Sequence, residues 1–162
     1  MSELGVQEAV RIEIEREASE EIVELEILKG EDMLAKVRER LDVGADQHIF
    51  EREHDEPLVG NLEGRRHLRL LAHSQRAIEV VVRYEHHEKD HNFAPSATVF
   101  KILQWAVGKH GYNLDPTIAA KANLILPGAE QPMPRDRTIG SFTSPGSHRL
   151  VVDLTLKDFT NG

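Results

Sequence analysis

Apolar residues in this chain recur first every second position and then every third or fourth, in an order that repeats once. Val10, Ile12 and Ile14 alternate with Arg11, Glu13 and Glu15, the period of a half-buried strand. After a polar turn at Glu17 to Glu20, Val23, Leu25 and Ile27 alternate with Glu24 and Glu26. So short a connection predicts an antiparallel hairpin. Met33, Leu34, Val37 and Leu41 then share one face of a helix opened at Gly30. Glu31 and Asp32 suit its positive end, Arg38 and Arg40 its negative end, and Gly44 reads as its stop. A strand at His48 to Glu51, a polar loop over 53–64 and a strand at Arg66 to Ala72 complete the first half. Its plan is strand, strand, helix, strand, strand.

The second half follows the same plan with different residues. Ala77 to Tyr84 reads as a strand, His86 to Asp90 as a turn, and His91 to Ala94 as a short second strand. Pro95 and Ser96 open a helix, with Ser96 as its expected cap and Val99, Ile102, Leu103, Ala106 and Val107 as its buried face. Phe100 does not fit that stripe, so one aromatic is expected to leave the core, and Trp105 is expected between the two halves. Strands follow at Ala122 to Leu126 and Arg149 to Leu156. In the last strand Leu150, Val152 and Leu154 point inward, while Val151, Asp153 and Thr155 point outward. His73 to Arg76 is too short for a floppy linker, so the halves are expected to lie close together. The fold class is α+β, as two successive units: 9–74 and 75–156. Residues 1–8 are expected to be flexible, and 157–162 to form a C-terminal tail.

Composition narrows the function classes. The chain has no cysteine, which rules out disulfides, cysteine nucleophiles and cysteine metal sites. Its net charge is -8, with Asp and Glu crowded into the first sixty residues, a surface that repels phosphate backbones, so no nucleic-acid partner is expected. No apolar run reaches transmembrane length and the N-terminus has no signal-peptide pattern. A cytoplasmic protein without membrane contact is expected. His86, His87, Asp90 and His91 read as a solvated turn rather than a metal site. Ser147, His148 and Asp153 lack a nucleophile elbow or oxyanion motif. No enzyme, metal or cofactor is expected.

The second half also carries specific residues. Pro95-Ser96 before the helix, Leu124-Ile-Leu-Pro-Gly128, Asp136-Arg-Thr-Ile-x-x-Phe142 and the strand 149–156 resemble, in order and spacing, the corresponding segments of ubiquitin. The chain therefore resembles a tandem ubiquitin-like modifier with two β-grasp domains. It is similar to the two-domain interferon-induced modifier of vertebrates and, more closely, to the modifiers of bacterial ubiquitination-like anti-phage operons. The resemblance implies that Gly162 is the conjugated residue and that Lys157, Asp158, Phe159, Thr160 and Asn161 are read by partner enzymes. Those partners are an activating enzyme, a conjugating enzyme, a deconjugating peptidase and target proteins, phage structural proteins among the candidates. The Asn161-Gly162 end departs from the diglycine of ubiquitin, which implies dedicated partners. Ile125 and Val151 are expected on a partner-binding surface. The alternatives are a non-covalent tandem adaptor and, less in keeping with two domains, a sulfur carrier.

Overall fold

The computed structural model describes residues 9–28, 32–59 and 65–159. It holds two four-stranded sheets and few helices, consistent with two β-grasp-like domains. The first sheet contains β1 (Ala9–Arg16), β2 (Ile22–Leu28), β3 (His48–Glu51) and β4 (His67–His73), in the order β2-β1-β4-β3. β1 pairs antiparallel with β2 and parallel with β4. Helix α1 (Met33–Leu41) buries Val37 and Leu41 in a core with Val10, Ile12, Ile14, Leu68 and Leu70. Asp32 caps α1 by accepting from the Ala35 N–H. The helix ends at Asp42 in the left-handed region (φ 53°), two residues before the expected glycine stop. There the Asp42 and Val43 N–H groups satisfy carbonyls of the last turn. Gly30 and Glu31 lie outside the described residues.

The second sheet contains β5 (Ile78–Tyr84), β6 (His87–Phe93), β7 (Asn123–Ile125) and β8 (Arg149–Thr155), in the order β6-β5-β8-β7. β5 and β8 run parallel at its centre. Helix α2 (Val99–Val107) buries Val99, Ile102, Leu103 and Ala106 against Val80, Val82, Leu150, Val152 and Leu154. A short helix α3 (Pro116–Ala119) and a 3-10 turn (Ile139–Phe142) complete the unit. As expected, Leu150, Val152 and Leu154 are buried, and the residues between them are half-buried on the other face.

Three local expectations are corrected. The region read as a turn at His86 to Asp90 is strand β6, and the reversal is confined to Glu85 and His86, with Glu85 in the left-handed region. Strand β6 gives no alternating apolar signal because it is an edge strand that is almost wholly exposed and held by backbone pairing. The cap of α2 is Thr98, which accepts from the Lys101 N–H. Ser96 instead donates to the His54 carbonyl of the first half, at 2.5 Å. Trp105 does not lie between the halves. It stacks on His91 at 5.6 Å and meets Phe93 edge-on at 5.8 Å, which commits the ring to β6. Phe100 is the helix aromatic left exposed.

Candidate functional site: the open face of the second sheet, the tail and the junction

Side chains of the second sheet that point away from α2 form three rows, fixed by strand register. Glu79 faces Arg149, Val81 faces Val151, and Arg83 faces Asp153, which in turn faces Ile125 on β7. The outer rows close as ion pairs. Arg83 donates to both Asp153 oxygens at 2.6 and 3.0 Å, and Arg149 donates to Glu79 at 3.0 Å. The hydrogen bonds it donates to Asp153 hold the Arg83 guanidinium above its ordinary pKa. The long stems of these arginines flank the central valine row. Val81 is buried on this otherwise open face, while Val151 and Ile125 are half-buried. The structure thus puts Ile125 and Val151 on neighbouring strands of one face, diagonally across Asp153. Val151 lies between the two charged rows and Ile125 ends the Arg83–Asp153 row, so the pair form a short apolar strip beside Asp153.

Strand β8 leads directly into the tail. Residues 156–159 adopt no regular structure. The Lys157 N–H donates to the Thr155 hydroxyl at 3.1 Å, and the Lys157 ammonium lies 5.5 Å from the Phe159 ring centre. Lys157 and Asp158 are exposed and Phe159 is half-buried. Thr160, Asn161 and Gly162 lie outside the described residues.

Ser147 and Asp153, set aside above as catalytic residues, are each engaged elsewhere. The Ser147 hydroxyl bonds to the backbone of Arg149, and Asp153 is held by Arg83. Among the described residues no group of three or more His, Cys, Asp or Glu side chains could hold a metal. No helix there is long and apolar enough to cross a membrane.

The sequence leads one to expect the halves close together, but not the residues that join the two sheets. Phe50 and Leu71 point away from the first core and are nonetheless fully buried. They lie where the second half packs. A Cβ placed on Gly140 would come within 2.7 Å of Leu71 and 2.8 Å of His73, so the 3-10 turn approaches at a distance only glycine permits. Around this contact, Glu15 Oε1 accepts from Arg137 Nε at 2.5 Å and from the Thr138 N–H at 3.1 Å. The rest of the Arg137 guanidinium donates to the Ser19 and Glu20 carbonyls. Glu17 accepts from the Ser74 N–H at 2.8 Å and from the Gly146 N–H. His73 Nδ1 accepts from the Gln75 N–H, so Nε2 carries the proton and donates to Thr143 Oγ1 at 2.8 Å.

On the other side of the junction, the turn after β3 docks on the start of α2. The Glu53 N–H donates to the Ser96 carbonyl at 2.9 Å, and Thr98 Oγ1 donates to Glu53 Oε1 at 2.6 Å. Glu53 adopts φ 69°, a conformation rare for a side-chain-bearing residue. It lets both its backbone and its carboxylate face the second half. One signal for this junction was legible: Ile49-Phe50 and Leu70-Leu71-Ala72 are unbroken apolar runs. A strand with only one covered face alternates, so such runs mark burial on both faces.

A hairpin, a helix across one face of the sheet, and first and last strands parallel at its centre make each half a β-grasp-like unit. Residues 79–157 match the family model for BilA ubiquitin-like domain 2. The likeness is to one ubiquitin-like domain and covers just under half of the chain. Comparison with curated proteins gives no match.

Proposed function

We propose that the chain is a ubiquitin-like protein modifier built from two ubiquitin-like domains, 9–74 and 75–156, with 157–162 as its conjugation tail. The carrying observation is the match of residues 79–157 to BilA ubiquitin-like domain 2, in a unit whose central strand β8 runs straight into the tail. In this reading a dedicated activating enzyme adenylates the Gly162 carboxylate and releases pyrophosphate. An enzyme thiolate then displaces AMP to give a thioester, and a target amine displaces the thiolate to leave an amide bond. All nucleophiles and bases belong to the partners, in keeping with a chain that has no cysteine. Lys157, Asp158, Phe159, Thr160 and Asn161 present the carboxylate, and the absence of a Cβ at Gly162 lets it enter a narrow channel. The strip of Ile125 and Val151 is where the activating or conjugating enzyme docks. The site of action is the bacterial cytoplasm, in anti-phage defence, with a deconjugating peptidase reversing the tag.

The test is co-expression with the activating and conjugating enzymes of the same operon, followed by intact-mass analysis. Higher-mass adducts joined through Gly162 are expected with the full chain and none after Gly162 is deleted. Adducts that persist undiminished after the deletion overturn the conjugation reading. Partner binding that persists after the tail is removed, with no adduct formed by the full chain, would instead favour a non-covalent adaptor. In the same reaction Ile125→Asp is expected to slow adduct formation at least about tenfold, the cost of one centrally placed interface residue. Unchanged rates would remove that face from the reading.

A further inference from the structure

The two hairpin edges of the molecule are built differently. Strand β6, the edge of the second sheet, reads His-Glu-Lys-Asp-His-Asn-Phe and is exposed at every residue except Phe93. Charges of both signs along an edge discourage another strand from pairing there. Strand β2, the edge of the first sheet, reads Ile-Val-Glu-Leu-Glu-Ile-Leu. Ile22 and Leu28 on it are 44% and 43% exposed. On the core side, Val23 and Leu25 of β2 and Met33 and Leu34 of α1 are only half-buried over the first core. The core is therefore incompletely closed along this edge.

The charge along β2 has one sign. Glu20, Glu21, Glu24 and Glu26 are present, and no lysine or arginine occurs between Arg16 and Lys29. Arg16 pairs with Glu21 and Arg11 stands opposite Glu26, which leaves Glu24 as the one set against a like charge. Glu24 stands directly opposite Glu13 on β1, a like-charge pairing that disfavours the sheet. The Glu13 carboxylate is already engaged by Arg69 on its other side, at 2.9 Å. A cation supplied from beyond the edge would relieve Glu24.

We propose that β2 is a docking edge for an extended, basic-apolar segment of a partner protein, which adds as a fifth strand to the first sheet. Backbone groups of the incoming segment pair with the outer edge of β2. Its apolar side chains cover Val23, Leu25 and the flank of α1, and its lysines or arginines lie beside Glu24 and Glu26. A second copy of this chain is a poor occupant, because edge-to-edge pairing of two β2 strands sets acidic faces against each other. The surface is separate from the tail and from the Ile125–Val151 face, so it stands whether or not Gly162 is conjugated.

The experiment is a titration of the full chain, followed through its backbone amide NMR signals. The probe is an acetylated, amidated seven-residue peptide alternating valine and lysine, and the control carries glutamate in place of lysine. Saturable shifts are expected at Ile22 to Ile27 and not along β6, with the lysine peptide binding at least about tenfold tighter than the control, the size expected for cross-strand charge pairs. The double variant Glu24→Lys, Glu26→Lys should invert that preference, and Glu24→Gln, Glu26→Gln should erase it. Equal binding of the two peptides, shifts on β5 and β8 instead, a preference untouched by charge reversal, or self-association through β2 would each overturn the proposal.

Discussion

Glu17 and His73 approach to 3.7 Å inside the junction, and both are nearly closed to solvent. Burial holds the His73 imidazole below its ordinary value of 6.5, against the pull of Glu17. Burial alone would raise the Glu17 carboxyl, but the N–H donors of Gly146 and Ser74 outweigh it and hold the group below 4.5. The two shifts act with the same sign on stability. Above pH 6.5 His73 is neutral in both the folded and unfolded chain. As pH falls through 6.5 the unfolded chain binds a proton that the folded one refuses, until the lower folded pKa is reached. Glu17 contributes above 4.5 and loses its contribution as pH falls through its depressed folded value. Calorimetry is therefore expected to show the unfolding temperature falling in two stages, the first beginning near pH 6.5 and removed by His73→Gln. A flat profile from pH 7.5 to 5 would contradict the role given to His73. Neither residue was legible as a junction group, because a lone histidine at the end of a strand carries no sequence signal.

Elements were legible where burial is one-sided. β1, β2, α1 and β8 each show the period of their own backbone, because one face meets a core and the other meets water. β6 was misread for the opposite reason. As an exposed edge it has almost no apolar half to alternate, and its two-residue reversal at Glu85 and His86 lacks the glycine or asparagine that advertises a tight turn. The cap of α2 shows the same limit. Pro95, Ser96 and Thr98 are all plausible starts, and the choice fell to Thr98 because Ser96 is taken by the first half through the His54 carbonyl. The Arg137-Thr138-Ile139 segment was read for its likeness to ubiquitin. The structure adds that its arginine and threonine clamp Glu15 across the junction.

Across the whole molecule, the two sheets share buried contacts that neither half could satisfy alone. Glu15, Phe50, Leu71 and His73 of the first half are each buried below a tenth of their surface, on the face that a free β-grasp unit would show to solvent. The first core is also the smaller of the two, so the first half is the one more dependent on docking. Unfolding in urea is expected to show one transition, seen alike by the fluorescence of Trp105, the chain's single tryptophan, and by amide exchange in β1 and β4. Gly140→Ala places a methyl against Leu71 and His73 and should cost about 1–3 kcal/mol, the range for overpacking a buried contact. It should pull the two signals apart, with the first half unfolding earlier. Coincident, unshifted transitions in that variant would show the junction to be loose.

The sequence by itself determined the order of elements, the two cores and the ubiquitin-like character of the second half. These depend on local periodicity and on short segments whose chemistry is read within a few residues. Only the tertiary structure decided which sheet face is covered, which hydroxyl caps α2, and that Ile125 and Val151 share one open face on either side of Asp153. Those outcomes depend on pairs such as Glu15 with Arg137 and Leu71 with Gly140. Such pairs are far apart along the chain, and their attraction exists only once separate elements have packed.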